Sequence, residues 1–263
     1  MITTKSKSEL ELMRIAGRIV AEVHREVRRM VRPGVTTSEL DAFAEDLIRA
    51  AGATPTFKGY NGFPATLCTS VNEQVVHGIP SRNVRLKEGD IIGVDCGATY
   101  KGYIGDSAWT YAVGEIRPEL KALLAAAEES LWRGIGAARV GNRISDIGAA
   151  VEGYIQPLGY GIVRDFCGHG VGNKLHEEPQ VPNYGEPGRG PRLKAGWCLA
   201  IEPMINLGGD TTRILKDKWT VVTMDGKASA HFEHSLAITP EGPEILTTLD
   251  EELATRFFGR SAA

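Results

Sequence analysis

Cysteine is scarce in this 263-residue chain: Cys68, Cys96, Cys167 and Cys198 are widely scattered, and no two of them form a C-x-x-C pair. That excludes a disulfide framework and the usual thiolate metal sites, and it is the usage expected in a reducing cytoplasm. No run approaches the roughly 20 apolar residues of a membrane helix. The opening MITTKSKSELEL has no apolar stretch of the kind a secretory leader needs. An excess of basic charge is also missing, since the formal net charge is −3 and the pI near 6.1. Electrostatics therefore gives no case for stable binding to nucleic acid or to an anionic membrane. The basic residues of Arg25–Arg32 fall within a helical pattern and read as a solvated helix face. Several catalytic signatures are absent too: H-E-x-x-H, the Walker-type phosphate loop and the G-x-S-x-G elbow. His231-Phe232-Glu233 has the H-x-E form of zinc deaminases, but no P-C-x-x-C follows.

What the chain does contain is a repeat. Ser8 and Glu11 have capping-box spacing, and Leu12, Ile15, Ile19, Val23 and Val27 follow at helical steps. A second helix is predicted from about Leu40 to Ala51, with Gly52 as its C-terminal stop. Strand-like residues then run from Pro64 to Asp106. The order begins again with helices predicted at about Pro118–Ala138 and Ile147–Pro157. Gly34, Ser38, Ala42, Glu45, Ile48 and Gly52 recur at a fixed offset of 107 as Gly141, Ser145, Ala149, Glu152, Ile155 and Gly159. RLKEGDIIGVD (85–95) returns as RLKAGWCLAIE (192–202) at the same offset. The expected architecture is one α+β domain covering 1–263, with two similar helix–helix–strand halves (about 8–113 and 114–250) around a pseudo-twofold axis.

Chemistry enters with the acids. GVDCGATYKGYIGDSAW (93–109) reads as a hairpin turning at Tyr100–Tyr103, which sets Asp95 and Asp106 opposite or diagonal on one face. Like charges placed this way destabilise a strand pair. The offset makes Glu202 the counterpart of Asp95. Aligning GDSAWTYAV with FEHSLAITP makes Glu233 the counterpart of Asp106, with the longer polar excursion Asn206–Lys218 between the second-half strands. Four converging carboxylates are prohibitive without a cation, and hard divalent ions invert that cost. His169 between two glycines, His176 seven residues on, and His77 at a strand end in VVHGIP are candidate partners. His24 lies in the first helix and reads as structural. Asp106→Asn is expected to cost far more activity than Asp217→Asn, a control in the polar excursion.

Asp95, Asp106, His169, Glu202 and Glu233, set in VVHGIP, GHGVG…HEEP, AIEPM and FEHS, resemble in that order the type I methionine aminopeptidases over about residues 8–248. The resemblance implies the pita-bread fold, with its halves around a central antiparallel sheet. It also implies removal of the initiator methionine from nascent chains whose second residue is small. By resemblance, two divalent ions (Co, Mn, Fe, Zn or Ni) are held by Asp95 on one side and by His169 and Glu202 on the other, with Asp106 and Glu233 bridging. A bridging water or hydroxide is then the nucleophile, Glu202 the proton acceptor, His176 an oxyanion donor and His77 a donor to the substrate backbone. Tyr60, Phe63, Cys68, His77 and Trp219 map to the methionine pocket. The chain departs from common family patterns at Leu175, Val76 and His231.

The form implied is the minimal bacterial-style one, a monomer acting on peptide N-termini with transient proximity to the ribosome. Two rivals remain. An X-prolyl aminopeptidase or dipeptidase of the same fold usually carries an added N-terminal domain, for which 263 residues leave no room. A catalytically inactive binding protein on this fold would be marked by lost ligands, and all five are present.

Overall fold

The computed structural model describes residues 2–259. Helices α1 (Lys7–Met30) and α2 (Thr37–Ala50) belong to the first half, and α3 (Pro118–Ala137) and α4 (Ile144–Ile155) to the second. The amphipathic period that predicts α1 is the one that buries it: Val20, Val23 and Val27 pack with Leu40, Ala44 and Ile48 of α2. The cap differs from expectation. Ser6, and not Ser8, accepts from the Glu9 amide, while the Glu9 carboxylate accepts from the Ser6 amide at 2.7 Å. The α2 box, Thr36 with Glu39, starts that helix three residues earlier than the apolar period indicates. Helix α4 likewise starts at Ile144, with the Asp146 carboxylate accepting from the Arg143 amide at 2.6 Å.

The strands Ile91–Tyr100 and Tyr103–Ala112 form the expected hairpin. Lys101 and Gly102 both have positive φ (47° and 84°), the conformation of the tight hairpin turn whose twist matches its strands. Alternation explains the acid inside an apolar run. Ile92, Val94, Cys96 and Ala98 all face the α1–α2 core, while Asp95 points the other way. In register, Asp95 lies opposite Ala108 and Asp106 opposite Gly97, so the two acids are diagonal and each faces a small residue.

The repeat is visible in detail. Isolated bridges join Thr36 to Arg85 and Arg143 to Arg192, both pairs offset by 107. Gly34 and Gly141 share φ near 95° (95° and 93°), and the Arg85 and Arg192 guanidiniums donate to their carbonyls. Each half has its own core, the second built from Leu123, Leu131 and Ile135 of α3, Ile147 and Ile155 of α4, and Leu199, Ile201, Leu236 and Ile238. A third apolar cluster, including Met13, Phe57, Phe63, Cys68, Leu175 and Cys198, spans both halves.

Among the described residues all strand pairs are antiparallel, and they group into four sheets. The halves meet along a seam where Tyr103–Ala112 runs beside residues 231–235. There the Glu233 amide donates to Ala108 O at 2.8 Å. The Ser235 hydroxyl donates to Asp106 O at 2.8 Å, and the Thr110 hydroxyl to His231 O at 2.9 Å.

This seam corrects one step of the repeat alignment. Val113 brackets Gly89–Asp90 with two backbone hydrogen bonds, and Ile238 brackets Gly196–Trp197 in the same way. Val113 therefore corresponds to Ile238, Thr110 to Ser235 and Asp106 to His231. Glu233 takes the place of Ala108 and, by continuation of the Ile201–His234 and Met204–His231 pairings, lies across from Glu202. The excursion Asn206–Lys218 contains a short strand. Its strand Thr212–Ile214 pairs with Val221–Thr223, which pairs with Gln74–Val76.

Candidate metal centre and substrate cavity

All eleven side chains singled out from the sequence line one cavity of about 280 Å³: Asp95, Asp106, His169, Glu202, Glu233, His77, His176, Tyr60, Phe63, Cys68 and Trp219. Asp95 and Asp106 come from the first hairpin. His169 sits in the short strand Gly168–Gly170, Glu202 immediately follows the strand Cys198–Ile201, and Glu233 immediately precedes His234–Thr239. The glycines beside His169 are there for close approach. A Cβ on Gly168 would lie 2.3 Å from Ala200 O, and one on Gly170 would lie 2.3 Å from Glu178 O.

Ligand atoms of Asp106, His169 and Glu233 lie within 4.8 Å of one another, and all three residues are buried. His169 Nε2 stands 3.8 Å from Asp106 Oδ2 and 3.5 Å from Glu202 Oε1. Its Nδ1 is committed to Gly170 O at 2.9 Å, which leaves Nε2 as the free ligating nitrogen. Burial pushes the Asp106 carboxyl up to about 7. Burial, then the Asp106 charge, raises Asp95, Glu202 and Glu233 well above the ordinary carboxylate range. Asp95 Oδ1, Asp106 Oδ1 and Glu233 Oε1 are buried without a hydrogen-bond partner among the described residues. A dense, unpartnered carboxylate cluster with one prepared imidazole is the donor set that divalent cations require, and it fits them.

The cavity wall is apolar and aromatic. Phe63 meets Trp219 edge-on with centroids 5.1 Å apart, and His77 meets Phe166 edge-on at 5.6 Å. His77 has φ of 59°, a strained setting for a non-glycine residue and one that marks functional positions. Burial, then the neighbouring His176, lowers its pKa to about 4. The exposed His176 has its Nδ1 2.8 Å from the Tyr60 hydroxyl. Phe57, Asn61, Phe166 and Cys167 also line the cavity and were not singled out from the sequence. The available signal for two of them was their position directly before Gly168-His169-Gly170. His231 lies outside the cavity lining, behind Glu202. The Asp217 carboxylate accepts from the Trp219 and Thr220 amides at 2.9 Å and so shapes the turn that presents Trp219.

Residues 11–240 match metallopeptidase family M24, and the chain belongs to that family. Within it, the chain is 54% identical to methionine aminopeptidase 1 of Bacillus subtilis over 247 residues, 94% of this chain and 99% of that one. The crystal structure of methionine aminopeptidase from Thermotoga maritima superposes with a TM-score of 0.93 at 44% identity, covering 94% of this chain and all of that one. A prolidase from Pyrococcus furiosus shares the fold at a TM-score of 0.74 and 24% identity, with 66% of its own length covered.

Proposed function

We propose that this chain is a single catalytic domain of two halves that hydrolyses the N-terminal methionine from peptides and nascent proteins with a small second residue. The observation that carries this reading is the meeting of five ligating side chains with an apolar, aromatic cavity of about 280 Å³. Asp95, Asp106, His169, Glu202 and Glu233 would hold two divalent cations. Such cations supply Lewis acidity and lower the pKa of a water toward neutrality.

The remaining chemistry belongs to side chains. Glu202, whose carboxyl is raised by burial and by Asp106, accepts the proton of the attacking water at a carboxylate oxygen. His176, with Nδ1 engaged by Tyr60, presents Nε2 to the scissile carbonyl oxygen as negative charge develops there. His77, neutral at working pH, hydrogen-bonds the substrate backbone. Phe57, Phe63, Cys68, Leu175 and Trp219 wall off water and take the unbranched thioether, for which soft, adaptable contacts suffice.

The carboxylate and imidazole donors accept Co, Mn, Fe, Zn or Ni according to supply as much as affinity. The proposal extends to a monomer that meets nascent chains close to the ribosome in the cytoplasm. Four free cysteines, three of them buried, support the reducing compartment. No helix among the described residues is long and apolar enough to cross a membrane. The test is cleavage of Met-Ala-Ser against Xaa-Pro peptides lacking an N-terminal methionine. Metal-dependent release of methionine alone supports the reading; hydrolysis confined to Xaa-Pro peptides overturns it.

A further inference from the structure

His231 is the structural counterpart of Asp106, as the seam establishes, yet it carries an imidazole where the first half carries a carboxylate. Its backbone is held from both directions by one residue. The His231 amide donates to Thr110 Oγ1 at 2.9 Å, and the Thr110 hydroxyl donates to His231 O at 2.9 Å. The side chain is 4% exposed and its Nε2 has no hydrogen-bond partner among the described residues. An unpartnered buried ring nitrogen is costly and calls for an explanation. The polar atom facing it is Glu202 Oε2, at 3.5 Å. The other oxygen of the same carboxylate, Oε1, lies 3.5 Å from His169 Nε2. Glu202 is thus flanked by two imidazoles, one on each oxygen, and its backbone carbonyl accepts from Asn183 Nδ2 at 3.0 Å.

We infer that His231 is a positioning residue: its Nε2–H donates to Glu202 Oε2, fixing the carboxylate plane so that Oε1 faces the cation site beside His169. The separation exceeds the usual N–H···O range by a few tenths of an ångström, and hydrogen bonds at catalytic groups commonly tighten once ligands are in place. A neutral donor is what this position needs. An acid there, as in the first half, would add a further carboxylate to a cluster that already leaves Asp95 Oδ1, Asp106 Oδ1 and Glu233 Oε1 unpartnered. The imidazole satisfies an oxygen without adding charge. Partners behind a ligating carboxylate typically change metal affinity or activity by 10- to 100-fold. The inference rests on the role given to Glu202 under the proposed function.

The experiment compares His231→Gln, which keeps an N–H donor at similar reach, with His231→Leu and His231→Met, which fill the space without one. Each variant is measured for kcat and KM on Met-Ala-Ser, for Mn²⁺ affinity by calorimetry on chelator-treated protein, and for thermal midpoint. The expected result is a fall in kcat of about 10- to 100-fold in the apolar variants, with KM within about threefold and Mn²⁺ binding weakened by about tenfold or more. His231→Gln should recover both quantities to within about threefold of the parent. Equal impairment of Gln and apolar variants, or parental behaviour of all three, overturns the inference. If neither apolar variant folds, His231→Gln decides alone, because a loss beyond tenfold contradicts a donor role. Failure of the Glu202 assignment is separately visible: parental turnover in Glu202→Gln would remove it, while the calorimetric comparison at His231 would still be read.

Discussion

Asp106 is 4% exposed, has its carboxyl raised to about 7 by burial, and keeps Oδ1 without a partner. Replacing it with Asn removes the charge that draws a cation while keeping the shape, so Asp106→Asn should lower kcat on Met-Ala-Ser by at least about a hundredfold. Asp46, exposed on α2, is the appropriate control, and Asp46→Asn should leave steady-state rates unchanged. Asp217→Asn should raise KM more than it lowers kcat, because that carboxylate shapes the Trp219 turn. His24 makes a different prediction. It is buried, with Nδ1 3.0 Å from the Tyr111 hydroxyl and Nε2 2.9 Å from Ser107 O. Burial lowers its pKa to about 4, below its ordinary 6.5. The unfolded chain therefore binds the proton more readily than the native one. Stability from neutral His24 is present above about pH 6.5 and is lost as pH falls toward 4, up to about 3 kcal/mol. The urea midpoint should fall between pH 7 and pH 5, and less steeply in His24→Gln. The five proposed ligands were legible because each stands in a distinctive local string. Phe57 and Asn61 were not, because only tertiary packing brings them to the cavity.

Among the elements, the helices were the most legible, since the 3.6-residue period of α1 and α2 is also the pattern of their buried faces. Their starts were less so. Ser6–Glu9 and Ser8–Glu11 share one spacing, and only backbone geometry decides between them. Ser6→Ala should cost about 1 kcal/mol in urea denaturation and Ser8→Ala distinctly less. The short strand Thr212–Ile214 was hidden because its residues are largely exposed and carry no alternation. The contact of α1 with the hairpin is also beyond sequence reading. A Cβ on Gly105 would lie 2.6 Å from Gly17 N, so helix and strand touch backbone to backbone. Gly105→Ala forces them apart beside Asp106. It should destabilise the fold by roughly 1–3 kcal/mol and lower kcat as well, measured by urea denaturation and steady-state kinetics on the folded fraction.

At the scale of the molecule, the offset of 107 revealed the duplication and its two cores, because the glycines and helix faces it relates perform the same local tasks in each half. It could not reveal register. The second-half strands carry an excursion whose length shifts the return strand, so Glu233 was matched to Asp106 when backbone hydrogen bonds match His231 to it. The proposed cation site would draw Asp95 and Asp106 from one half and His169, Glu202 and Glu233 from the other, which would tie metal binding to the docking of the halves. Saturating metal should therefore stabilise the whole fold, by about 2.7 kcal/mol at a hundredfold excess over Kd. The most direct test is to strip the protein with a chelator and titrate Mn²⁺ back while following bound ions per chain and release of methionine from Met-Ala-Ser. Activity near zero in the stripped protein, returning as up to two ions bind and failing to return in Asp106→Asn, is the predicted result. Full activity without metal, or equal recovery in Asp106→Asn, would contradict the account.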